Sequence, residues 1–575
     1  FLKKYQNKII FFCVAFFALH WVFFIWVHQI NVPYNMEFLP INIVYDFMTS
    51  EISLVEEIFT PFTGHLLTFS YLVSFPNLYF NSFDVVNMYL LQFPMYAGVL
   101  FFTYLLIKKT DKKLLWVLIP VSAFVFNPLM SSSENFFTAW HSLIPQLAVI
   151  SVIFLFNKKT VTTTTFVICV ILGIIASFSS IWGTVIWIAG IFGLISYTAE
   201  DKKLVGKKWL FAWIAITIII GFVYYETSIT MSQDDAFDTS LSQIGKTSPL
   251  SIEGMSFITT FLSAGFRLKF HALMVLVGGI SILFSIFCVS YFIKLKKISS
   301  IKPWLNFLLV GISIAVITQL GRGHLPFHEG NEPYYIYFSQ FFQIGLLVLI
   351  GFIILNLRND VRKNRVKIIV IFLVIVLITQ SILLVPSYYT GWTRADHYFE
   401  SKMHIMNCYS LSSDPTCIKS GGPLSSSADN ALFNYFLKND MSFFNDENFN
   451  SKNEQDIKIF KTNWSEKSQA TVGFSKIESI NDSLVSENET FVAEKPLIAI
   501  NGWSLDENKK ELDSIYLIVN NEPFLKFDKF YPRNDISKNL GVNEDLNSGW
   551  SISFLSEYLE ENCQLITLVG FKDDK

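Results

Sequence analysis

The lysine and arginine residues of this chain are concentrated in alternate connections between long apolar segments. Before residue 387, one set of connections carries 22 basic residues and the intervening set carries 4. Loops on the cytoplasmic side of a membrane are enriched in Lys and Arg, so the alternation predicts a membrane protein whose amino terminus is cytoplasmic. The 4 basic residues of the predicted outer side are Lys246, Arg267, Lys269 and Arg322.

The composition agrees with a membrane protein, because 52% of the residues are hydrophobic and only 16% are charged. The first apolar segment is long and is not followed by a small-residue cleavage site, so we do not interpret it as a cleaved signal peptide. An odd number of spans would place the two termini on opposite sides of a plasma membrane. We predict about eleven membrane-spanning helices, at 9–30, 87–107, 114–130, 141–157, 161–179, 182–198, 209–226, 271–293, 303–320, 334–356 and 367–387.

The character of the chain changes after Tyr389. We predict a transmembrane domain at 1–389, which includes a long first outer loop at 31–86. The following region, 390–490, is expected to be an extracytoplasmic helical segment and linker, because it is polar and its part at 451–490 is rich in Asn, Lys, Ser and Glu.

Alternating apolar and polar residues return near the carboxyl end. Leu497–Ile500, Ser514–Val519 and Trp550–Phe554 are short runs typical of β-strands, separated by turn-forming residues. We therefore predict a small extracytoplasmic β-sandwich at 491–575. Trp503 and Trp550 are expected to be at least partly buried, since aromatic side chains must supply much of so small a core.

The outer location permits two modifications of the polar region. A disulfide bond between Cys408 and Cys417 is chemically allowed there, although spacing alone does not establish its geometry. Sequons for N-glycosylation occur at Asn463, Asn481 and Asn488. No sequence motif for a metal site is present.

The first outer loop carries the clearest candidates for chemistry. It contains several acidic residues and His65 but no Lys or Arg. An acidic, aromatic loop at the outer interface could supply a general base or bind a divalent ion, and Glu37 is the sharpest candidate because it follows the first span by a few residues. The alternative is that outer loops lack basic residues for topological reasons alone.

Further candidates lie at the starts and ends of later spans. Glu134 could be a second acid of an outer cleft, with His141 one to two helical turns further on, or it could simply favour the first turn of a helix. Arg322 could hold a lipid phosphate or anchor its helix at the interface. For each residue, both readings remain open.

Taken in order, short motifs along the chain resemble the GT-C glycosyltransferases. The resemblance is closest to a group of largely uncharacterised prokaryotic polytopic membrane proteins of that layout, which end in a β-sandwich. It covers nearly the whole chain. The matching residues are Tyr34-Asn35-Met36-Glu37-Phe38-Leu39-Pro40, Gly64-His65, Ser133-Glu134-Asn135, Phe178-Ser179 with Gly183, Trp187 and Gly190, Gly321-Arg322, Tyr335 to Ser339, Gly502-Trp503, and Asn547-Ser548-Gly549-Trp550.

The resemblance implies transfer of a hexose or pentose from a polyprenyl-phosphate donor to a glycan, lipid or protein acceptor at the cell surface. It implies that Glu37 acts as the catalytic base with Glu134 as a second acid. Arg322 would hold the donor phosphate, and His65 and His141 would contribute to substrate binding. A divalent cation, Mg²⁺ or Mn²⁺, would be optional. Membrane lipids are expected partners and nucleic acid is not.

The chain also departs from these relatives. They usually carry acids where Asn35 and Met36 stand, an acid-His-Arg run where this chain reads Thr63-Gly64-His65-Leu66, and an Arg where it has Tyr334. These departures favour an alternative function, that of a non-catalytic membrane protein that anchors or assembles a cell-surface structure. A transporter is a weaker third alternative, because there is no internal repeat and few ionisable groups lie mid-span.

Overall fold

A computed structural model gives the fold of most residues up to 412 and of separate stretches beyond. The chain divides into two compact units, which are described separately. The helical unit comprises Phe1–Gln29, Leu39–Phe80 and Val86–Asp396, and the terminal unit comprises Ile30–Phe38, Asn81–Val85 and His397–Lys575. The described residues are 2–49, 53–59, 66–131, 136–157, 160–201, 204–230, 247–322, 326–357, 364–412, 432, 435–436, 439, 441–442, 474–480, 483–484, 497–506, 508–519, 522–527, 530–541, 546–555 and 566–571.

Helices form almost all of the described chain up to Ser412. Short 3₁₀ turns join several of them, for example at Asn35–Glu37 and Ile181–Thr184. In chain order, helices α1 to α18 are Leu2–His28, Phe38–Thr49, Leu54–Phe59, Thr68–Phe80, Val85–Leu90, Phe93–Thr110, Leu118–Val125, Pro128–Ser131, Phe136–Phe156, Thr163–Ser177, Val185–Asp201, Leu204–Thr230, Ile252–Leu262, His271–Lys294, Lys302–Arg322, Ile336–Leu357, Asn364–Ile382 and Leu384–Ser412.

Within the described residues, nine helical stretches are long and apolar enough to cross a membrane. They coincide with nine of the eleven predicted spans. The other two predictions, 161–179 and 182–198, correspond to the shorter apolar helices Thr163–Ser177 and Ile181–Ile195. About 20 residues are needed to cross the hydrocarbon core. The described fold is therefore consistent with a helical membrane protein, and the count of eleven spans stays a prediction.

Small residues allow these two shorter helices to pack closely. A Cβ atom on Gly183 would lie 1.9 Å from the carbonyl oxygen of Ala176, so the tight connection between α10 and α11 requires glycine. The indole of Trp187 covers Gly173, where a Cβ atom would lie 2.7 Å from the ring, and its Nε1 donates to the Ser177 hydroxyl at 2.8 Å. Gly183 and Trp187, two residues of the resemblance, thus serve helix packing.

The last long helix extends well past the predicted end of the transmembrane domain. Helix α18 runs from Leu384 to Ser412, so residue 389 lies inside it, and the division between the two compact units falls between Asp396 and His397. The preceding part of α18 packs against the helical unit, where the Tyr388 hydroxyl donates to the carbonyl oxygen of Ala123 at 2.8 Å.

The carboxyl-terminal part of the terminal unit contains two antiparallel sheets. The larger has the strand order β2-β1-β3-β7-β6 and the smaller the order β5-β4-β8. The three predicted strand runs lie within β3, β4 and β7, and these predictions are confirmed. Strands β1 to β8 are Phe474–Ile480, Ser483–Leu484, Leu497–Leu505, Ser514–Val519, Glu522–Phe527, Tyr531–Pro532, Asn547–Leu555 and Ile566–Phe571, and helix α19 is Asn534–Asn539.

The prediction of a linker throughout 451–490 is wrong for strand β1. Residues Phe474–Ile480 pair antiparallel with β3, with Phe474 opposite Leu505 and Ile480 opposite Ile500. The local sequence does not alternate cleanly between apolar and polar residues. Its strand conformation is instead stabilised by hydrogen bonds to a partner that lies later in the chain.

A small core stabilises the larger sheet. Trp550 is 0% exposed, and its Nε1 donates to the Ser504 hydroxyl on the neighbouring strand at 2.9 Å. Trp503 is partly buried against a cluster formed by Leu505, Ile536 and Leu546. The predicted burial of both tryptophans is confirmed.

Candidate functional site

Glu37, the predicted base, is held at the start of helix α2. It ends the 3₁₀ turn Asn35–Glu37, and its Oε2 accepts a hydrogen bond of 2.8 Å from the backbone N–H of Tyr34. The Glu37 N–H in turn donates to the Tyr34 carbonyl at 3.1 Å. This reciprocal pattern over three residues resembles a capping box, in which a glutamate satisfies an otherwise unpaired N–H at a helix start.

The Glu37 carboxylate forms an ion pair with a lysine 365 positions away. Lys402 Nζ lies 3.3 Å from Oε1 and 3.2 Å from Oε2. The Glu37 side chain is 0% exposed and that of Lys402 is 2% exposed. Both residues belong to the terminal unit, where Lys402 lies on the extension of α18 beyond Asp396.

Burial governs the electrostatics of this pair. Removal from water lowers the pKa of Lys402, while the negative charge of Glu37 and its hydrogen bond oppose that effect. Isolated buried charges are costly, and removal of one partner leaves the other uncompensated. The ion pair therefore makes the position of each side chain depend on the other.

The two ends of the first predicted outer loop contact each other within the terminal unit. The Asn31 side-chain oxygen accepts from the backbone N–H of Val85 at 2.8 Å, which joins the two ends of the 31–86 region. Ser442 donates through its hydroxyl to the Asn31 carbonyl at 3.2 Å and through its N–H to the Ser82 carbonyl at 2.7 Å. A residue late in the chain thus stabilises the base of this loop.

In the helical unit, Arg322 and His141 belong to one cluster. Arg322 Nη1 donates to the Tyr334 hydroxyl at 2.7 Å, and its guanidinium carbon lies 5.7 Å from the centre of the same ring. Tyr334 stacks on Trp182 with ring centres 6.0 Å apart, and the His141 imidazole lies 6.1 Å from Trp182. We call Arg322, Tyr334, Trp182 and His141 the aromatic cluster.

The aromatic cluster joins elements that are distant in sequence. His141 lies on α9, Arg322 ends α15, and Trp182 and Tyr334 lie in 3₁₀ turns. Trp182 is fixed by a hydrogen bond of 3.2 Å from its Nε1 to the Thr318 hydroxyl. Tyr334 therefore binds Arg322 through both its hydroxyl and the face of its ring.

Two predicted site residues, Glu134 and His65, lie outside the described residues, as do Cys417 and the asparagines of the three sequons. The side chain of Cys408 is also outside the described set. Among the side chains that the structure describes, no group of three or more His, Cys, Asp or Glu residues is placed to hold a metal ion. The described residues thus provide no complete ligand set for the optional divalent cation.

Sequence reasoning missed Lys402 and Arg394. Both lie in the region interpreted as a polar segment, where a basic residue has no local sign of burial. One feature of the sequence distinguished Arg394, because it is the only Arg between residues 366 and 532. The i, i+4 spacing of Tyr398 and Lys402 was a second signal, because it places both on one helix face. The Tyr398 ring lies 5.6 Å from the ring of Tyr34, beside Glu37.

Comparison of the chain with protein-family models, with curated proteins and with solved structures found no match. The class of protein therefore rests on the structure itself. The described residues combine many apolar helices, nine of which could cross a membrane by length and composition, with a sheet-containing terminal region.

Proposed function

We propose that this protein is a GT-C-like membrane glycosyltransferase that moves a sugar from a polyprenyl-phosphate donor to a cell-surface acceptor. Its amino terminus would be cytoplasmic and its terminal unit external, with eleven spans and with the two sheets packed as a β-sandwich. The observation that carries the proposal is the aromatic cluster, which joins a guanidinium group to three aromatic rings. Arginine binds phosphate oxygens through paired N–H groups, and aromatic rings with a few polar groups commonly line ligand sites.

In the proposed reaction, the Glu37 carboxylate takes a proton from an acceptor hydroxyl. The acceptor oxygen then forms a bond to the anomeric carbon of the sugar, and the bond from that carbon to the donor phosphate oxygen breaks. The polyprenyl phosphate leaves with the electron pair of that bond, and Arg322 stabilises its negative charge. The hydrogen bonds from Tyr34 and Lys402 would orient the carboxylate before the reaction.

A second candidate function is a non-catalytic anchor for a cell-surface structure. The ion pair of Glu37 with Lys402 favours this candidate, because a buried carboxylate with a cationic partner can serve to position two segments of the chain. The two candidates differ in what Glu37 must be able to do. A catalytic base must come within hydrogen-bond distance of the acceptor hydroxyl, whereas a structural carboxylate need only maintain its ion pair with Lys402.

The test is sugar transfer by the full-length protein in nanodiscs, with polyprenyl-phosphate hexoses and pentoses labelled in the sugar. Membranes from cells that lack the protein supply the acceptors. We expect transfer by the parent protein, loss of transfer in Arg322→Gln, and normal transfer in Lys269→Gln, which removes an exposed basic residue of the same predicted side.

The double variant Glu37→Gln/Lys402→Met addresses the base without leaving a buried charge unpaired. Loss of transfer in this folded variant supports the transferase. Full transfer in the double variant would exclude Glu37 as the base, and absence of transfer by the parent protein with every donor would favour the anchor.

A further inference from the structure

Arg394 is held in the helical unit with one guanidinium nitrogen buried. It lies on α18, one turn after Gly391, where a Cβ atom would lie only 2.5 Å from the backbone nitrogen of Leu129. This close approach fixes α18 against helix α8. The Nη1 atom of Arg394 is buried and has no hydrogen-bond acceptor among the residues that the structure describes.

Arg267 lies near the same region of the helical unit. It follows the 3₁₀ turn Ala264–Phe266 in a left-handed backbone conformation with φ of 43°, and its Nη1 donates to the carbonyl oxygen of Asn331. That turn contacts the 3₁₀ turn Pro333–Tyr335, which in turn contacts α8. Helix α8 is the element on which α18 packs at Gly391, so the turn Pro333–Tyr335 and helix α8 connect the elements that carry Arg267 and Arg394.

The electrostatics agree with this placement. Burial lowers the pKa of Arg267, the positive charge of Arg394 lowers it further, and the negative charge of Glu332 opposes both effects. Two arginines and one glutamate leave an excess of one positive charge. The surroundings are polar, because the side-chain oxygen of Asn331 and the hydroxyl of Thr260 are buried without a partner among the described residues.

An anion would relieve both unfavourable features of this arrangement. A buried N–H without an acceptor is unfavourable, and two guanidinium groups that act on each other electrostatically repel. A phosphoryl group offers several acceptor oxygens to the planar fork of each arginine, and its negative charge matches the excess positive charge.

We propose that Arg267 and Arg394 form a binding site for a phosphoryl anion, supplied by a lipid headgroup or by soluble phosphate. The inference goes beyond the proposed sugar transfer, in which Arg322 holds the donor phosphate, and it holds whether or not the protein is an enzyme. The Thr260 hydroxyl would donate a neutral hydrogen bond to the anion.

The test measures binding and needs no enzymatic activity. The full-length protein is placed in nanodiscs of phosphatidylcholine, and its thermal unfolding is followed by tryptophan fluorescence with increasing inorganic phosphate or with chloride at the same ionic strength. A second arm replaces part of the lipid by phosphatidylglycerol without phosphate. A rise in Tm with phosphate indicates a soluble anion, and a rise only with phosphatidylglycerol indicates a lipid headgroup. Either result supports the site.

Arg394→Gln should abolish the rise. In chloride, its Tm should equal or exceed that of the parent, because the variant removes a buried N–H without an acceptor. Lys269→Gln is the matched control. This lysine lies two residues from Arg267 but is exposed, so its replacement should leave the rise in Tm unchanged. Arg394→Lys keeps the charge but loses the fork, so the apparent affinity should fall about tenfold or more.

No rise in either arm, or an undiminished rise in both Arg394 variants, would overturn the proposal. Failure of Arg394→Gln to fold would leave the test to Arg394→Lys. A loss of sugar transfer without a change in these Tm shifts would concern only the proposed function.

Discussion

Lys402 contacts both carboxylate oxygens of Glu37, at 3.2 and 3.3 Å, in a part of the terminal unit from which water is excluded. The two residues lie 365 positions apart, one at the start of the first predicted outer loop and the other on the extension of α18. The pair therefore links the functional candidate that the sequence singled out to a residue that the sequence did not single out.

The first prediction concerns the stability of this pair. Glu37→Gln should lower the free energy of unfolding by about 3–5 kcal/mol, because it leaves the Lys402 ammonium buried without its counter-charge. The double variant Glu37→Gln/Lys402→Met should recover most of that loss, since it contains no buried charge at this position. Thermal unfolding of the four proteins of the double-mutant cycle measures the coupling.

Glu253→Gln is the matched control, because this glutamate is exposed in the first turn of α13. It should change stability by much less than Glu37→Gln. Equal stability of the single and double variants would show that the charge of Lys402 does not depend on Glu37 for compensation.

The second prediction is a pH dependence that follows from the lowered pKa of Lys402. Between the folded-state pKa and the ordinary value of 10.5, the unfolded state binds more protons than the folded state. Stability contributed by this group therefore rises as the pH increases through that window and is complete above the ordinary value. The Tm of the parent protein, relative to the double variant in which neither side chain titrates, should increase from pH 7 to pH 10. A decrease would mean that the attraction of Glu37 outweighs the effect of burial.

The third prediction uses two adjacent glycines of helix α14. A Cβ atom on Gly278 would lie 1.9 Å from the carbonyl oxygen of Thr259 on α13, whereas one on Gly279 would meet nothing within 4 Å. Gly278→Ala should destabilise the helical unit by about 1–3 kcal/mol through overpacking. Gly279→Ala should be neutral or stabilising by about 0.5–1 kcal/mol, because alanine loses less conformational entropy in a helix. Thermal unfolding in detergent compares the two variants directly.

The fourth prediction concerns the core of the larger sheet. Trp550→Ala should destabilise the terminal unit by about 3–5 kcal/mol, because it leaves a cavity and removes the hydrogen bond to Ser504. Trp503→Ala should cost less, since that side chain is only partly buried. The rate of proteolysis of the full-length protein at increasing urea concentration measures both effects. An equal response of the two variants would contradict the assigned difference in burial.

The sequence predicted the helices well because a bilayer imposes a strong, local requirement. Each long span is a continuous apolar stretch, and its length alone identifies it. Strands β3, β4 and β7 were also predicted, since their alternation is local. Strand β1 was missed because its conformation depends on pairing with β3, which begins 17 residues after β1 ends.

The candidate site was only partly predictable. Glu37 and Arg322 were selected from their positions relative to the spans, and the structure shows a buried ion pair at the first and an aromatic partner at the second. Lys402 and Arg394 were missed because the polar sequence around them resembles a solvated segment. The burial of Lys402 and of the Arg394 Nη1 atom results from packing of helix α18 against parts of the chain that are distant in sequence.

The fifth prediction tests the topology on which the proposed function depends. In a cysteine-free background, Lys112→Cys should react with a membrane-impermeant thiol reagent only after the membrane is permeabilised, because its loop belongs to the basic, cytoplasmic set. Lys269→Cys and Lys538→Cys should react in intact cells, and all three lysines are exposed in the structure. The three sites serve as controls for one another, since each cysteine should react once the membrane is permeabilised. Labelling of Lys112→Cys from outside would reverse the orientation and would place Glu37 on the cytoplasmic side, where the external acceptor of the proposed transfer is absent.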